Sequence, residues 1–229
     1  MVLKEWKSWS FIFIMVGSLQ FIILTLIAMV YYKGGTYLDQ STSGYLFWNN
    51  LFSDLGRTIA HSGLTNRISF IIFTVTLLIW GFSHIPFYIA FSFILRENKK
   101  QKQLSKAGSI LGVLTGISYM GIALTPSDIL NDAHNFFVLM AFSSIFVSII
   151  IYSIVIYHNK SYSNFYSYVL VISAIILALF YISLLLMPDK SIQIELFIQV
   201  LGQKIAMYTL LISGFIQGYG AWKKSKFYN

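Results

Sequence analysis

Charge is scarce in this sequence. Only 10% of its 229 residues are Asp, Glu, Lys or Arg, against 57% hydrophobic, and the mean hydropathy is +0.71. A water-soluble domain carries roughly 25% charged residues because its surface must be solvated, so lipid is the expected solvent for most of this surface. Cysteine is absent, which excludes disulfides, thiolate metal sites and cysteine nucleophiles. Complete catalytic motifs are missing as well: no HExxH, no GxSxG elbow, and no soluble βαβ unit for a dinucleotide. The four histidines, His61, His84, His134 and His158, are not matched in depth as paired haem ligands would be. Neither a metal nor another cofactor is expected.

The formal charge of +8 is not accompanied by a basic patch interleaved with exposed aromatics, so nucleic acid is not the expected partner. Excess Lys in a membrane chain marks cytoplasmic loops instead. A cleaved leader is not expected. The first apolar run, residues 9–32, exceeds the usual signal core of about 7–15 residues, and Lys33-Gly34-Gly35 is a poor cleavage site.

What is present is a series of long apolar runs. A spanning helix needs about 20 mostly apolar residues to cross a core of about 30 Å. Residues 9–32, 68–95, 107–124, 136–157, 166–187 and 196–222 meet that need. Their length and lack of alternation read as helices rather than barrel strands. The expected fold is an all-α, polytopic transmembrane bundle of six helices, a single integral membrane domain over residues 1–229. Eleven Lys and Arg fall on one side, at Lys4 and Lys7, in the 96–106 stretch, at Lys160 and in the 223–226 tail. Lys33, Arg57, Arg67 and Lys190 fall on the other, with Lys204 inside the last run. Six of the eight acidic residues take the opposite side, with Glu5 and Glu97 the exceptions. The two counts agree only for an even number of spans. They place the protein in the cell membrane with both termini cytoplasmic.

Membrane lipid is the expected partner. Small residues mark close helix contacts in lipid. Gly108, Gly112 and Gly116 form a row in the third run, with Gly121 beyond, and Gly214 and Gly218 lie in the sixth. A homo-oligomer or a partner subunit would pack through these Gly-rich faces. The first loop is the longest. Within it Trp48, Leu51, Phe52, Leu55 and Ile59 recur at helical spacing opposite Asn50, Asp54, Arg57 and His61, which predicts an amphipathic helix over 46–61 lying in the membrane interface.

Polar groups gather at the non-cytoplasmic end. The first cluster runs from Asn49 through Asn50, Ser53, Asp54 and Arg57 to His61, and the second holds Ser127, Asp128, Asn131, Asp132 and His134. Asp54 and His61 either share a cavity, or Asp54 pairs with Arg57 at i,i+3 on the interfacial helix. Ser127 or Asn131 would cap the fourth helix, with Asp128 and Asp132 favoured by its dipole. That leaves His134 unexplained. Lys204 is the sharpest single residue. An ammonium in hydrocarbon costs about 3 kcal/mol, which either snorkelling of the stem to the outer headgroups or an ion pair with Asp54, Asp128 or Asp132 would offset, the pair being the reading favoured. His84, deeper in the second run, is expected to bond a neighbouring helix.

The run FWNNLFSDLGRT, with Ser53-Asp54-Leu55-Gly56, resembles the S-[DE]-L-G signature of a prokaryotic six-helix membrane family, domain of unknown function nine-nine-eight (DUF998). The run GIALTPSDILNDAHNFFVLMAF, with Pro126, Asp128 and His134, resembles its second signature, although Ala123-Leu124-Thr125-Pro126 stands where the family has G-x-F-P. More distantly the layout is similar to membrane proteins of the DRAM and Sfk type. The resemblance implies the fold and no reaction. Three roles are open: a structural, sensing or accessory protein; a membrane-embedded enzyme acting on lipid or lipid-linked groups; and a small-solute or proton transporter. In the enzyme reading His134, Asp54, Asp128 and Lys204 are the catalytic candidates.

Overall fold

The computed structural model describes residues 2–227, and side chains from 5 to 226. Among these residues the chain forms six α-helices: α1 (Val2–Tyr31), α2 (Arg67–Ile94), α3 (Lys99–Leu124), α4 (Asn131–Tyr157), α5 (Asn164–Leu186) and α6 (Gln193–Phe227). Every apolar run read from the sequence lies in one of them to within a residue, and all six are long and apolar enough to cross a membrane. Charged or polar turns extend several helices beyond the apolar runs. α3 starts eight residues early because Asn98 caps it, its side chain accepting from the Gln101 N–H. The side chain of Lys4, counted among the cytoplasmic charges, lies outside the described residues.

Each helix packs on its neighbours in sequence, and α6 closes on α1, so the bundle is a ring. An even number of passes returns the chain to its starting end, where the Ser8 and Ser225 hydroxyls are 3.0 Å apart. Large apolar side chains stand exposed along the helices, such as Val30, Ile110, Leu139, Leu179 and Leu185. A water-facing surface would not tolerate so many, but lipid does.

Lipid gives helices no hydrophobic reason to associate, so packing and polar contacts must do it. At the α2–α3 crossing, a Cβ on Gly81 would lie 2.5 Å from the Gly116 carbonyl oxygen, and one on Gly116 would lie 2.5 Å from that of Gly81. The two backbones touch there. Gly112 receives the Tyr88 ring of α2, Gly108 and Gly121 receive Tyr152 and Phe137 of α4, and Gly218 meets Phe11, Ile14 and Met15 of α1. The Gly-rich faces are thus filled from within the chain. Hydroxyls and amides supply the rest of the adhesion: Thr115 to Ser144 at 2.8 Å, Ser148 to the Gly108 carbonyl at 2.9 Å, and Gln20 to the Thr76 carbonyl at 3.0 Å.

The first loop differs from its expected form. In place of an amphipathic α-helix over 46–61 there is one short 3₁₀ helix, Phe52–Gly56, within a folded segment. Side chains compete here for the backbone groups that a helix would use. Asn50 Oδ1 accepts from Leu46 N–H at 2.9 Å, and Asp54 Oδ2 accepts from Leu51 N–H at 2.9 Å. The apolar residues do not share a lipid face either. Phe52 and Leu55 are buried in the bundle, whereas Trp48 and Ile59 are exposed. Gly35 (φ +80°) lets two passes of the loop touch, since a Cβ there would lie 2.2 Å from Ser62 N. The result is a plug seated in the ring, with Phe52 edge-on to Phe21 of α1 and to Tyr208 of α6.

Gly116→Ala is expected to lower stability by about 1–3 kcal/mol, the usual cost of overpacking, because the obstacle is backbone and cannot rotate away. Thermal unfolding in detergent, compared with an exposed Ala substitution on α5, measures it.

Candidate functional site

The plug, α4, α5 and α6 enclose a cavity of about 280 Å³ at the end of the bundle away from the termini. Most of the residues that line it are polar, although apolar atoms make up the larger part of its surface. Ser53, Asp54, Arg57 and His61 come from the plug; Asn131, His134, Asn135 and Val138 from one face of α4; Leu196, Gln199 and Gln203 from one face of α6; and Lys190 from the α5–α6 turn. An apolar annex of about 40 Å³ lies against it, sharing Ser53, His134, Val138 and Gln203 and continuing among Phe21, Phe73, Phe142 and Met207.

Asp54 organises the plug side. Its Oδ2 accepts from Asn50 Nδ2 at 3.0 Å and from Leu51 N–H, and its Oδ1 accepts from His61 Nε2 at 3.1 Å. Asn50 in turn donates to the Gly35 carbonyl at 2.9 Å. Of the two alternatives, the i,i+3 pair of Asp54 with Arg57 does not form. Arg57 Nε donates instead to the Ile59 carbonyl at 3.1 Å, and the short 3₁₀ helix turns the two side chains to different partners. Asp54 and His61 do share the cavity.

His134, in the first turn of α4, is buried and reaches back to the Thr125 carbonyl through Nδ1 at 2.7 Å. A carbonyl only accepts, so Nδ1 carries the proton, and the Nε2 of the neutral ring is an acceptor. This histidine closes the end of α3 onto the start of α4. The expected side-chain caps are not made. Leu130 holds the N-cap position, and Ser127 and Asn131 line the cavity instead. Asp132 is exposed in the first turn of α4, where the helix dipole favours it.

Asp128 and Lys204 leave the proposed constellation. Asp128 does not line the cavity. Its carboxylate accepts from Thr58 N–H and Ile59 N–H and, at 2.6 Å, from the Thr58 hydroxyl, clamping the plug to the α3–α4 turn. Partial burial pushes this carboxyl up, but the hydrogen bonds from Thr58 and Ile59 outweigh it and hold the group below the usual carboxylate range. Lys204 is fully buried and pairs with no carboxylate. Its ammonium donates to the Asn50 carbonyl and sits 4.9 Å from the centre of the Phe47 ring and 5.5 Å from those of Tyr45 and Phe52. A desolvated cation–π contact is worth about 2 kcal/mol, so three rings and a carbonyl together match the insertion cost that a carboxylate was expected to offset. Gln203, beside it, accepts from Phe52 N–H at 2.9 Å. Both α6 side chains therefore hold the plug.

Asn135, Gln199, Lys190 and the aromatic cage of Lys204 were not singled out from the sequence. A signal existed for two of them. Asn131, His134, Asn135 and Val138 follow i, i+3, i+4, i+7 spacing, and Leu196, Gln199 and Gln203 follow i, i+3, i+7, so each set marks one helix face. The cage had none, because Tyr45 and Phe47 look like ordinary interfacial aromatics until the loop folds back. His84 also departs from expectation. It bonds its own helix, Nδ1 to the Trp80 carbonyl at 2.8 Å, rather than a neighbour. As for chemistry, neither Ser53 nor Ser127 is hydrogen-bonded to a histidine among the described residues, so His61–Asp54 is a dyad without an engaged nucleophile.

Because the Asp128 carboxyl titrates lower in the folded chain than unfolded, its contribution is complete above the ordinary value of about 3.9 and is lost as pH falls through the lower folded value. Amide exchange at Thr58 and Ile59 is expected to stay protected at neutral pH and to open only in acid. Asp128→Ala should remove about 1 kcal/mol of that protection at neutral pH and little or none in acid, where the wild-type carboxyl is already protonated. Equal protection in the variant would show that the clamp is idle.

No curated protein and no solved structure matches the chain, and the more distant likeness to DRAM- and Sfk-type proteins has no support. A family model described as "Protein of unknown function (DUF998)" matches residues 15–217. The six helices fit to cross a membrane make the chain a multi-pass membrane protein, and with that match covering most of its length it belongs to this family.

Proposed function

We propose that this protein is a non-enzymatic binding component of the membrane, whose cavity takes the anionic head group of an amphiphile in a sensing or accessory role. The observation that carries this reading is the composition of the cavity wall. Arg57 and Lys190 face it with the amides of Asn131, Asn135 and Gln199, while Asp54, already engaged by three donors, is the one carboxylate on it. Cations and amide donors suit phosphate or carboxylate oxygens. The adjoining annex among Phe21, Phe142 and Met207 suits an apolar appendage. The catalytic alternative loses two of its four candidates, because Asp128 and Lys204 are committed to holding the plug. The transport alternative would need a polar path beyond the annex, and the annex is walled mainly by aromatic and aliphatic side chains.

The orientation belongs to the same proposal. The excess of Lys and Arg at the termini end supports a cytoplasmic assignment there, which puts the cavity at the non-cytoplasmic surface of the cell membrane.

Short-chain phosphatidylglycerol is expected to raise the melting temperature of the detergent-solubilised protein, whereas phosphatidylcholine of equal chain length is not. Saturation a hundredfold above Kd corresponds to about 2.7 kcal/mol. The double variant Arg57→Gln, Lys190→Gln should lose most of that shift; if it keeps the shift, or both lipids act alike, the head-group assignment fails.

Orientation is testable without background because the chain has no cysteine. Thr42→Cys should react with an impermeant maleimide on intact cells, and Lys100→Cys only after permeabilisation. The reverse pattern inverts the topology.

A further inference from the structure

The ring of helices is not completely filled. On its axis lies a second cavity, of about 30 Å³, bordered by Ile14, Trp80, Tyr119, Ile145, Leu170 and Leu210, one from each helix, and also by His84 and Gln217. Most of its wall is apolar, but three polar groups at it have unspent hydrogen-bonding capacity. The Trp80 indole N–H is buried and makes no hydrogen bond. The Tyr119 hydroxyl lies close to the indole without meeting hydrogen-bonding geometry, and its own proton is directed at the Met207 sulfur, 4.0 Å away. The Gln217 Oε1 is likewise buried and unbonded. Its orientation is settled by the other half of the amide, since Nε2 donates to the Tyr166 carbonyl at 2.8 Å and a flip would set oxygen against oxygen. Finally, His84 spends its Nδ1 proton on the Trp80 carbonyl, which makes Nε2 of the neutral ring an acceptor.

We propose that this axial cavity is a water-binding site within the membrane span, holding one or two molecules anchored by Trp80, His84 and Gln217. The chemistry is complementary. A water accepts from the one donor, the indole N–H, and has two protons for the two acceptors, Gln217 Oε1 and His84 Nε2. The space suffices, because a water needs roughly 10–15 Å³ of such volume together with two to four polar partners. Burial makes the need strong. In a lipid-embedded core an unpaired donor or acceptor keeps its full desolvation penalty, and polar groups so placed are almost always satisfied by protein or by ordered water. A wholly apolar void of this size would stay dry, and these three groups are what distinguishes it from one. The site is separate from the loop-end cavity, with the Tyr119 ring standing between it and the apolar annex, and it does not depend on what that larger cavity binds.

The experiment uses the full chain in lipid nanodiscs with ¹⁵N-labelled tryptophan. Five tryptophans give five indole signals, and Trp80→Phe identifies the one of interest. The Trp80 indole is expected to show a dipolar cross-peak to water although its side chain is buried, with exposed Trp48 as the positive control. Gln217→Leu, which removes one anchor and adds apolar bulk, should weaken the Trp80–water peak several-fold while leaving that of Trp48 unchanged. A Trp80 indole silent to water in the unmodified protein, beside a clear Trp48 peak, overturns the proposal, and this measurement decides it even if the variant fails to fold. Persistence of the full peak in a folded Gln217→Leu protein overturns the assignment of Gln217 as an anchor.

Discussion

Backbone groups carried into the mouth of a lipid-facing bundle must find partners, and in this protein the 32–66 loop finds them in side chains. Asn50 and Asp54 take the N–H groups of Leu46 and Leu51, and Asp128 takes those of Thr58 and Ile59. Asn66 donates to the carbonyls of Leu55 and Arg57. Gln203 and Lys204 complete the set from α6 at Phe52 N–H and the Asn50 carbonyl. These contacts convert a segment with little regular structure into a rigid wall. Without it the cavity would be an open funnel between α4, α5 and α6.

That constraint divides the polar cluster into two parts. One part is structural, comprising Asp128, Lys204 and Asn50, whose polar atoms are spent on the plug, and Gln203 belongs to both, its Oε1 holding Phe52 N–H while its side chain lines the cavity. The other part borders the cavity with capacity to spare: Arg57, His134 through Nε2, Lys190 and the amides of α4 and α6. The division follows from geometry rather than residue type. Asp54 and Asp128 are both buried or half-buried carboxylates with several donors, yet only Asp54 lies on the cavity. Its partner His61 keeps an imidazole at the wall, edge-on to the Tyr37 ring.

Deeper in the span the same accounting is met differently. Small residues bring α2 and α3 into backbone contact at Gly81 and Gly116, and aromatic rings fill what remains around the axis. Large rings pack well against each other but tile a six-helix ring imperfectly, and the gap falls where Trp80, His84 and Gln217 converge. A polar trio in an apolar core is consistent with a bundle whose interior is hydrated at a point rather than along a channel.

Six helices, their even parity and their lipid-facing surface were legible from residue order alone. A long apolar run has one stable form in hydrocarbon, the helix that bonds its own backbone, and neighbouring segments do not alter that choice. Part of the polar lining was legible too, since Asp54, Arg57, His61 and His134 stood out where charge is rare, whereas Lys190, Asn135 and Gln199 did not. The partners of the ionisable residues were not legible. Whether Lys204 met a carboxylate or a cage of Tyr45, Phe47 and Phe52, and whether residues 46–61 formed a helix or a plug, turned on contacts between segments about 150 positions apart. Helical spacing describes one segment in isolation, whereas the energy that selected the plug comes from α6 and the α3–α4 turn, which are brought to the loop only when the ring closes.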